Sequence, residues 1–197
     1  MSDENPVDAG ESLALIVGLG NPGERYRGSR HNLGFEVVGE LAQRWGLRCD
    51  RLECSALRGR SDRALLAMPQ TYMNRSGYAV RCFVEHYGFP LNRVMIVYDD
   101  VSLPLGRVRA RPGGSPGGHR GMESVIENLR SDRIPRLRLG IAPEEGSESV
   151  GDLVDYVLEP FAASEREEAE AMIQRGADVV EGWLDSGIEA TMNRFNG

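Results

Sequence analysis

An α/β chain built on a mixed, twisted β-sheet flanked by helices is predicted from three observations. Short apolar runs end at glycine or aspartate; amphipathic stretches of about 10–15 residues separate them; and two neighbouring strand-like segments, 52–58 and 63–68, face each other across a turn at 59–62. The hairpin rules out a wholly parallel sheet. With 197 residues, 41% of them hydrophobic, the chain is long enough to bury one core, and a single domain over residues 12–197 is expected behind an acidic, disordered tail at 1–11.

Each element has its own signal. The run Leu13-Ala14-Leu15-Ile16-Val17 reads as a buried strand stopped by Gly18, and a polar loop follows over residues 20–32. Leu33, Val37, Leu41 and Trp45 recur every four residues and Gly46 closes the run, the pattern of an amphipathic helix. After the hairpin, a second helix fits 76–87, ended by Gly88 and Pro90. Residues 94–98 form the next buried strand and deliver Asp99 and Asp100 at its carboxyl end, where open α/β sheets bind their ligands. A strand at 107–111, a glycine-rich loop at 113–118, a helix at 121–129 and a strand at 137–141 complete the sheet, and the chain is acidic and helical from 151 to 195.

Composition removes several classes of function. All 23 basic residues are arginine, which excludes Schiff-base chemistry on a lysine amine and the phosphate-contacting lysine of a P-loop. No window approaches the ~20 apolar residues of a membrane helix. Cys49, Cys54 and Cys82 show no CxxC spacing, and together with the polar N-terminus they suggest a reduced, cytoplasmic protein.

Net charge is −7, a poor overall signature for binding nucleic acid, but the charge is unevenly spread. Residues 107–138 hold eight arginines against three acids, a local charge of +5, whereas 144–197 carry −11. Arg107, Arg109 and Arg111 share one strand face by their spacing of two, and so do Arg136 and Arg138. Two readings stay open: a stripe that tracks a phosphate backbone, or a solvated edge paired with the acidic C-terminal helices.

Gly18-Leu19-Gly20-Asn21-Pro22-Gly23 satisfies G-x-G-x-x-G after a strand. The dinucleotide fingerprint requires a helix to open directly from the glycines, yet no apolar periodicity begins before Leu33. The same loop holds Asn21, Tyr26, His31 and Asn32. His31 is a candidate general base because imidazole exchanges protons near neutral pH, and Asp99 is its candidate partner. Asn74, in the turn PQTYMNRSG, carries an amide that both donates and accepts. Taken singly, each of these residues reads better as a cap, a turn or a salt bridge than as a catalytic group.

In combination they read differently. GLGNPGERYRGSRHNLGFEVV, TYMNRSGYAV, VYDDVSLPLGRVRARPGGSPGGHRGMESVI and PRLRLGIAP, in that order and spacing, closely resemble the bacterial-type peptidyl-tRNA hydrolase family over residues 13–195. The resemblance implies hydrolysis of the ester joining a peptide to the 3′-terminal ribose of tRNA. By motif position His31 would be the base, Asp99 its orienting carboxylate, and Asn21 a substrate contact near the scissile ester. Tyr26, Tyr72 and Asn74 would line the cleft. The tRNA acceptor arm becomes the natural partner of the basic face at Arg107, Arg109, Arg111 and Arg138.

An activated ester needs no metal, and His86 and His119 lie in no ligand-spaced cluster with the cysteines, so neither metal nor other cofactor is expected, and the chain is read as a monomer. One departure stands out: where the family pattern is G-G-H-N-G, this chain has Gly117-Gly118-His119-Arg120-Gly121. Arginine brings five donors and no acceptor, which makes Arg120 a candidate contact to tRNA phosphate. Competing expectations are a catalytically silent RNA-binding module and a nucleotide-dependent oxidoreductase.

Overall fold

The computed structural model describes residues 13–143 and 152–197. The tail at 1–11 and the start of the acidic C-terminal stretch lie outside the described residues. Seven strands form one sheet: β1 (Ala14–Gly18), β2 (Arg51–Glu53), β3 (Ala56–Arg60), β4 (Ala64–Pro69), β5 (Val94–Pro104), β6 (Val108–Arg111) and β7 (Arg136–Ala142), in the spatial order β2-β3-β4-β1-β5-β7-β6. The central strands β4, β1, β5 and β7 run parallel, and antiparallel pairs close both edges. The helices are α1 (Leu33–Arg44), α2 (Ser76–Tyr87), α3 (Arg120–Leu129), α4 (Leu153–Leu158) and α5 (Arg166–Phe195). The expected mixed sheet is therefore present.

Three segments differ from expectation. The strand expected at 52–58 is two, because Cys54 and Ser55 both take positive φ (49° and 56°) and turn the chain back as a two-residue hairpin. The strand expected to end at Tyr98 continues to Pro104, with a register shift between Asp100 and Pro104. Within α5, Gly187 leaves the helical region (φ 77°, ψ 176°), so the long segment is two helices meeting at a kink.

The parallel centre is buried on both faces. Ile16, Val37, Leu41, Met95, Val97, Leu139 and Trp183 form a core under α1 and α5; Leu15, Val17, Phe83, Ile96, Tyr98 and Val125 form one under α2 and α3. The chain leaves β1 through α1 to β4 on one side, then crosses through α2 to β5 on the other. Helices on opposite faces thus diverge at the carboxyl ends of β1 and β5, the switch point at which α/β sheets open a crevice. β1 ends at Gly18 opposite Val97, which leaves Asp99 projecting past it.

The two glycines that let α1 approach are Gly18 and Gly34. A side chain on Gly34 would meet backbone atoms of Leu19 and Val97, and one on Gly18 would meet the Gly34 carbonyl. Gly18 and Gly20 of the G-x-G-x-x-G stretch thus serve close packing against α1, Gly23 serves a positive φ of 103°, and 3-10 turns rather than an α-helix follow them. Gly34→Ala is expected to destabilise by about 1–3 kcal/mol, read as a Tm lower by roughly 2–4 °C per kcal/mol. Activity is expected to fall with it, because the same displacement moves residues 31–32.

Arginine and acid pair differently from the bland sequence reading. Among the described residues, the acids of α5 meet Arg44 (Asp178 at 2.7 Å, Glu181 at 3.0 Å) and Arg63, not the arginines of β6. β6 is instead held by Asn196, whose side-chain amide accepts from Ala110 N (2.8 Å) and donates to its carbonyl (2.9 Å). The cysteines correct the expectation of a fully reduced chain. Turn 54–55 and the middle of α2 bring Cys54 and Cys82 to a Cα separation of 5.5 Å in a disulfide, an adjacency that sequence spacing does not reveal, and Cys49 alone is free. Among the described residues no helix is long and apolar enough to cross a membrane.

Candidate active site

A cavity of about 410 Å³ opens at the carboxyl ends of β1 and β5. Asn21, His31, Asn74, Asp99, Asp100, His119 and Arg120 supply its polar lining. Leu153, Val154, Val157 and Leu158 of α4 supply an apolar wall.

Asp99, 1% exposed, is the hub. His31 Nδ1 lies 2.9 and 3.0 Å from its two carboxylate oxygens. A carboxylate only accepts, so Nδ1 carries the proton and Nε2 keeps its lone pair for the cavity. His119 approaches from the other side, with Nε2 3.1 Å from Asp99 Oδ1 while its Nδ1 accepts the Met122 amide (3.1 Å) at the start of α3. The His119 tautomer is fixed by this: Nε2–H donates to Asp99. Burial alone would raise the Asp99 pKa, but charge attraction and hydrogen bonds from His119 and His31 prevail and hold the carboxyl far below its usual range.

His119, set aside in the sequence because it lies in no spaced cluster, therefore belongs to the site. Its ring centroid is 4.9 Å from that of His31 and 4.8 Å from that of Tyr98. His31, Asp99 and His119 have the composition of a metal site. The hydrogen-bond pattern argues otherwise, since a ligand nitrogen must be unprotonated and the Met122 amide already occupies the other His119 nitrogen.

Asn21 is held by a reciprocal clamp. Its backbone N–H donates to Asn32 Oδ1 (2.8 Å), Asn32 Nδ2 donates to the Asn21 carbonyl (3.0 Å), and Asn21 Oδ1 accepts from Met73 N (2.8 Å). With Oδ1 taken, the amide NH₂ is the group Asn21 has left to offer a ligand. The same bonds fix the turn that carries Tyr72 and Asn74 against the loop that carries His31.

The remaining sequence candidates divide. Tyr72 and Asn74 are exposed on the cavity wall. Tyr26 does not line this cavity; it sits in the 3-10 turn Glu24–Tyr26, 5.7 Å beneath the Arg25 guanidinium. Arg120 lines the cavity at the start of α3. Arg109 and Arg138 are direct cross-strand partners, and Arg111 stands opposite Arg136. Arg138 is tied to Asp100 (2.5 Å) and Ser102 (3.1 Å), so it is not a free cation. Arg136 is no part of a basic surface: it is buried and donates to the carbonyls of Ile134, Gly114, Ser115 and Asp132, anchoring the glycine-rich loop.

Sequence reasoning missed His119, the Asn32 clamp and the wall from α4. The signal for α4 was available, as Leu153, Val154, Val157 and Leu158 recur at helical spacing in an otherwise acidic stretch.

Comparison with known proteins agrees with this architecture. A sequence model of the family described as peptidyl-tRNA hydrolase matches residues 15–197. The peptidyl-tRNA hydrolase of Carboxydothermus hydrogenoformans is 46% identical over 188 residues, covering 93% of this chain and 98% of its own. That of a Synechococcus species is 45% identical, covering 100% and 89%. The crystal structure of peptidyl-tRNA hydrolase from Acinetobacter baumannii superposes with a TM-score of 0.84 at 30% identity, covering 94% of this chain and 95% of its own. A family match over nearly the whole chain and relatives well above 40% identity lead to one conclusion: the chain belongs to the peptidyl-tRNA hydrolase family.

Proposed function

We propose that this enzyme releases peptides from peptidyl-tRNA by general-base hydrolysis of the ester at the 3′-terminal ribose, with His31 as the base. The observation that carries the reading is the two-oxygen contact of Asp99 with His31 Nδ1, which leaves Nε2 as the ring nitrogen able to accept a proton at a cavity of about 410 Å³. A water donates its proton to Nε2 as its oxygen attacks the ester carbonyl. Charge moves onto the carbonyl oxygen, where the amides of Asn21 and Asn74 are the nearby donors. When the tetrahedral species collapses, the C–O bond to the ribose breaks, and the His31 imidazolium returns the proton to the departing ribose oxygen. The products are a tRNA with a free 3′ hydroxyl and a peptide carboxylic acid, which loses its remaining proton to solvent to become the carboxylate. Asp99 stays ionised and offsets the imidazolium charge.

The direct test is to incubate the enzyme with N-acetyl-aminoacyl-tRNA and follow the appearance of deacylated tRNA. Binding without turnover would instead favour a silent RNA-binding module, and a change of NADH fluorescence on mixing would favour the oxidoreductase.

The tRNA acceptor arm is the partner in this reading, with a single chain supplying the whole cavity as a monomer in the cytoplasm. Arg120 at the cavity rim meets phosphate of the single-stranded 3′ end, and Arg109 and Arg111 at the sheet edge meet the duplex, with Arg138 beside them as a weaker contributor because Asp100 already holds it. Each contacting arginine changed to alanine is expected to flatten the slope of log(kcat/KM) against log salt by about 0.7 for Arg120 on the single strand, and about 0.9 for Arg109 on the duplex. An unchanged slope in a variant would remove that arginine from the interface.

A further inference from the structure

The residue before the base is a buried arginine that the reaction does not use. Arg30 is 5% exposed, and its guanidinium carbon lies over two aromatic rings, 4.2 Å from the centroid of Tyr156 and 5.2 Å from that of Phe161. Nη1 donates to three carbonyls, those of Tyr156 (3.4 Å), Glu159 (3.4 Å) and Pro160 (3.0 Å). Nη2 donates to Glu165 (2.7 Å). The backbone joins in: Arg30 N donates to Glu159 O (3.0 Å), and Ser29 bridges Pro160.

These carbonyls stand at the carboxyl end of α4, where a helix leaves its acceptors unsatisfied. A six-residue helix cannot hold its shape alone. Its described anchors beyond the Arg30 strap and its own cap at Asp152 include one bond from Tyr156 Oη to the Ile141 carbonyl (2.5 Å). Yet α4 supplies the apolar wall of the cavity, facing the polar side that holds His31 and Asp99. One side chain therefore spans the two walls, with its own backbone continuing directly into the base.

We propose that Arg30 is a positioning residue that sets the separation between the base and the α4 wall, and that this wall receives the side chain of the esterified amino acid, so Arg30 tunes selectivity for apolar acyl groups. Phosphates and hydroxyls of the nucleotide end belong on the polar, arginine-bearing side. The acyl side chain is the part of the substrate whose chemistry matches Leu153, Val154, Val157 and Leu158. The proposal rests on the cavity being the ester site.

The test compares N-acetylleucyl-tRNA with N-acetylalanyl-tRNA in the full-length enzyme carrying Arg30→Lys, or separately Glu165→Gln. Lysine keeps the charge but has neither the flat face nor the fork needed to reach three carbonyls and a carboxylate. KM for the leucyl substrate is expected to rise about tenfold, the scale of one or two methylenes losing an apolar pocket. KM for the alanyl substrate and both kcat values are expected to stay within about twofold, since uniform binding is lost rather than transition-state stabilisation. If Arg30→Lys does not fold, Glu165→Gln and the wall variant Val157→Ala must show the same leucyl-selective loss. Equal rises for both substrates, no rise for either, or a fall in kcat alone would overturn the proposal. Failure of the wild type to hydrolyse either substrate would instead overturn the reading of the site.

Discussion

Replacing His31 by alanine is expected to lower kcat on N-acetyl-aminoacyl-tRNA by about 10²- to 10⁴-fold, the range general-base catalysis supplies. Each tenfold corresponds to about 1.4 kcal/mol of transition-state stabilisation, so the expected loss is roughly 3–5 kcal/mol. The effect falls on kcat rather than KM, because His31 takes a proton only as the water attacks, while Asn21, Asn74 and the rim arginine make their contacts with the ground state as well. The fold survives the substitution: Asp99 keeps the N–H of His119 at 3.1 Å, so removing the His31 ring does not leave its carboxylate without a partner. The measurement is single-turnover hydrolysis with enzyme in excess, alongside a thermal melt. A loss below about tenfold would remove His31 from the role of base, as proton transfer by a positioned group contributes at least ~10².

How far the site could be read from the amino-acid sequence depends on the kind of constraint each residue obeys. β1, α1, α2 and the first half of β5 were legible because their apolar periodicity answers to burial alone, and burial is local in the sequence. His31 and Asp99 were candidate partners by residue type and position at a strand end, but it took the order of four motifs to favour the pair over a cap or a salt bridge. Sixty-eight residues separate them, and no local pattern reports that β1 and β5 lie side by side. His119 was missed for the same reason in stronger form: it looks like an unremarkable histidine in a glycine-rich loop, and only the cap it makes to α3 turns its Nε2 toward Asp99.

The arginines were the least legible. Their period-two spacing correctly assigned shared strand faces, yet it could not distinguish Arg136, buried against four backbone carbonyls, from Arg109 at the edge. Arg30 likewise looks like surface charge in the sequence, whereas it is interior with its guanidinium carbon over the rings of Tyr156 and Phe161. In a chain without lysine, every cationic role falls to one residue type, so composition carries no hint of which arginines are structural. Fork geometry lets the same side chain grip carbonyls inside and phosphate outside.

Asp99→Asn is the second large effect expected, and it separates orientation from proton transfer. The carboxylate accepts from two histidines at once: Oδ1 serves His31 and His119, and Oδ2 serves His31 again. An asparagine amide offers one acceptor and one donor group. His119 Nε2 is fixed as a donor by the Met122 amide at its other nitrogen, so the amide oxygen must face His119. The NH₂ then faces His31 Nδ1 and favours the tautomer protonated at Nε2, which cannot take a proton from water. A loss in kcat of about 10²- to 10⁴-fold is expected with the cavity intact, comparable to that of removing the base itself. Combining Asp99→Asn with His31→Ala should therefore cost little more than either alone, because the two residues act as one unit. Stability adds an independent readout. The folded-state pKa of Asp99 is depressed well below its ordinary value of 3.8, so its contribution is full above that value and is lost progressively as pH falls from there toward the lower folded-state pKa. The wild type should accordingly melt higher than Asp99→Asn near neutrality, with the gap closing as the pH is lowered below about 4. A gap that stays constant from pH 7 to pH 3, or a variant retaining more than a tenth of wild-type kcat, would mean that Asp99 does not hold His31 in its basic form.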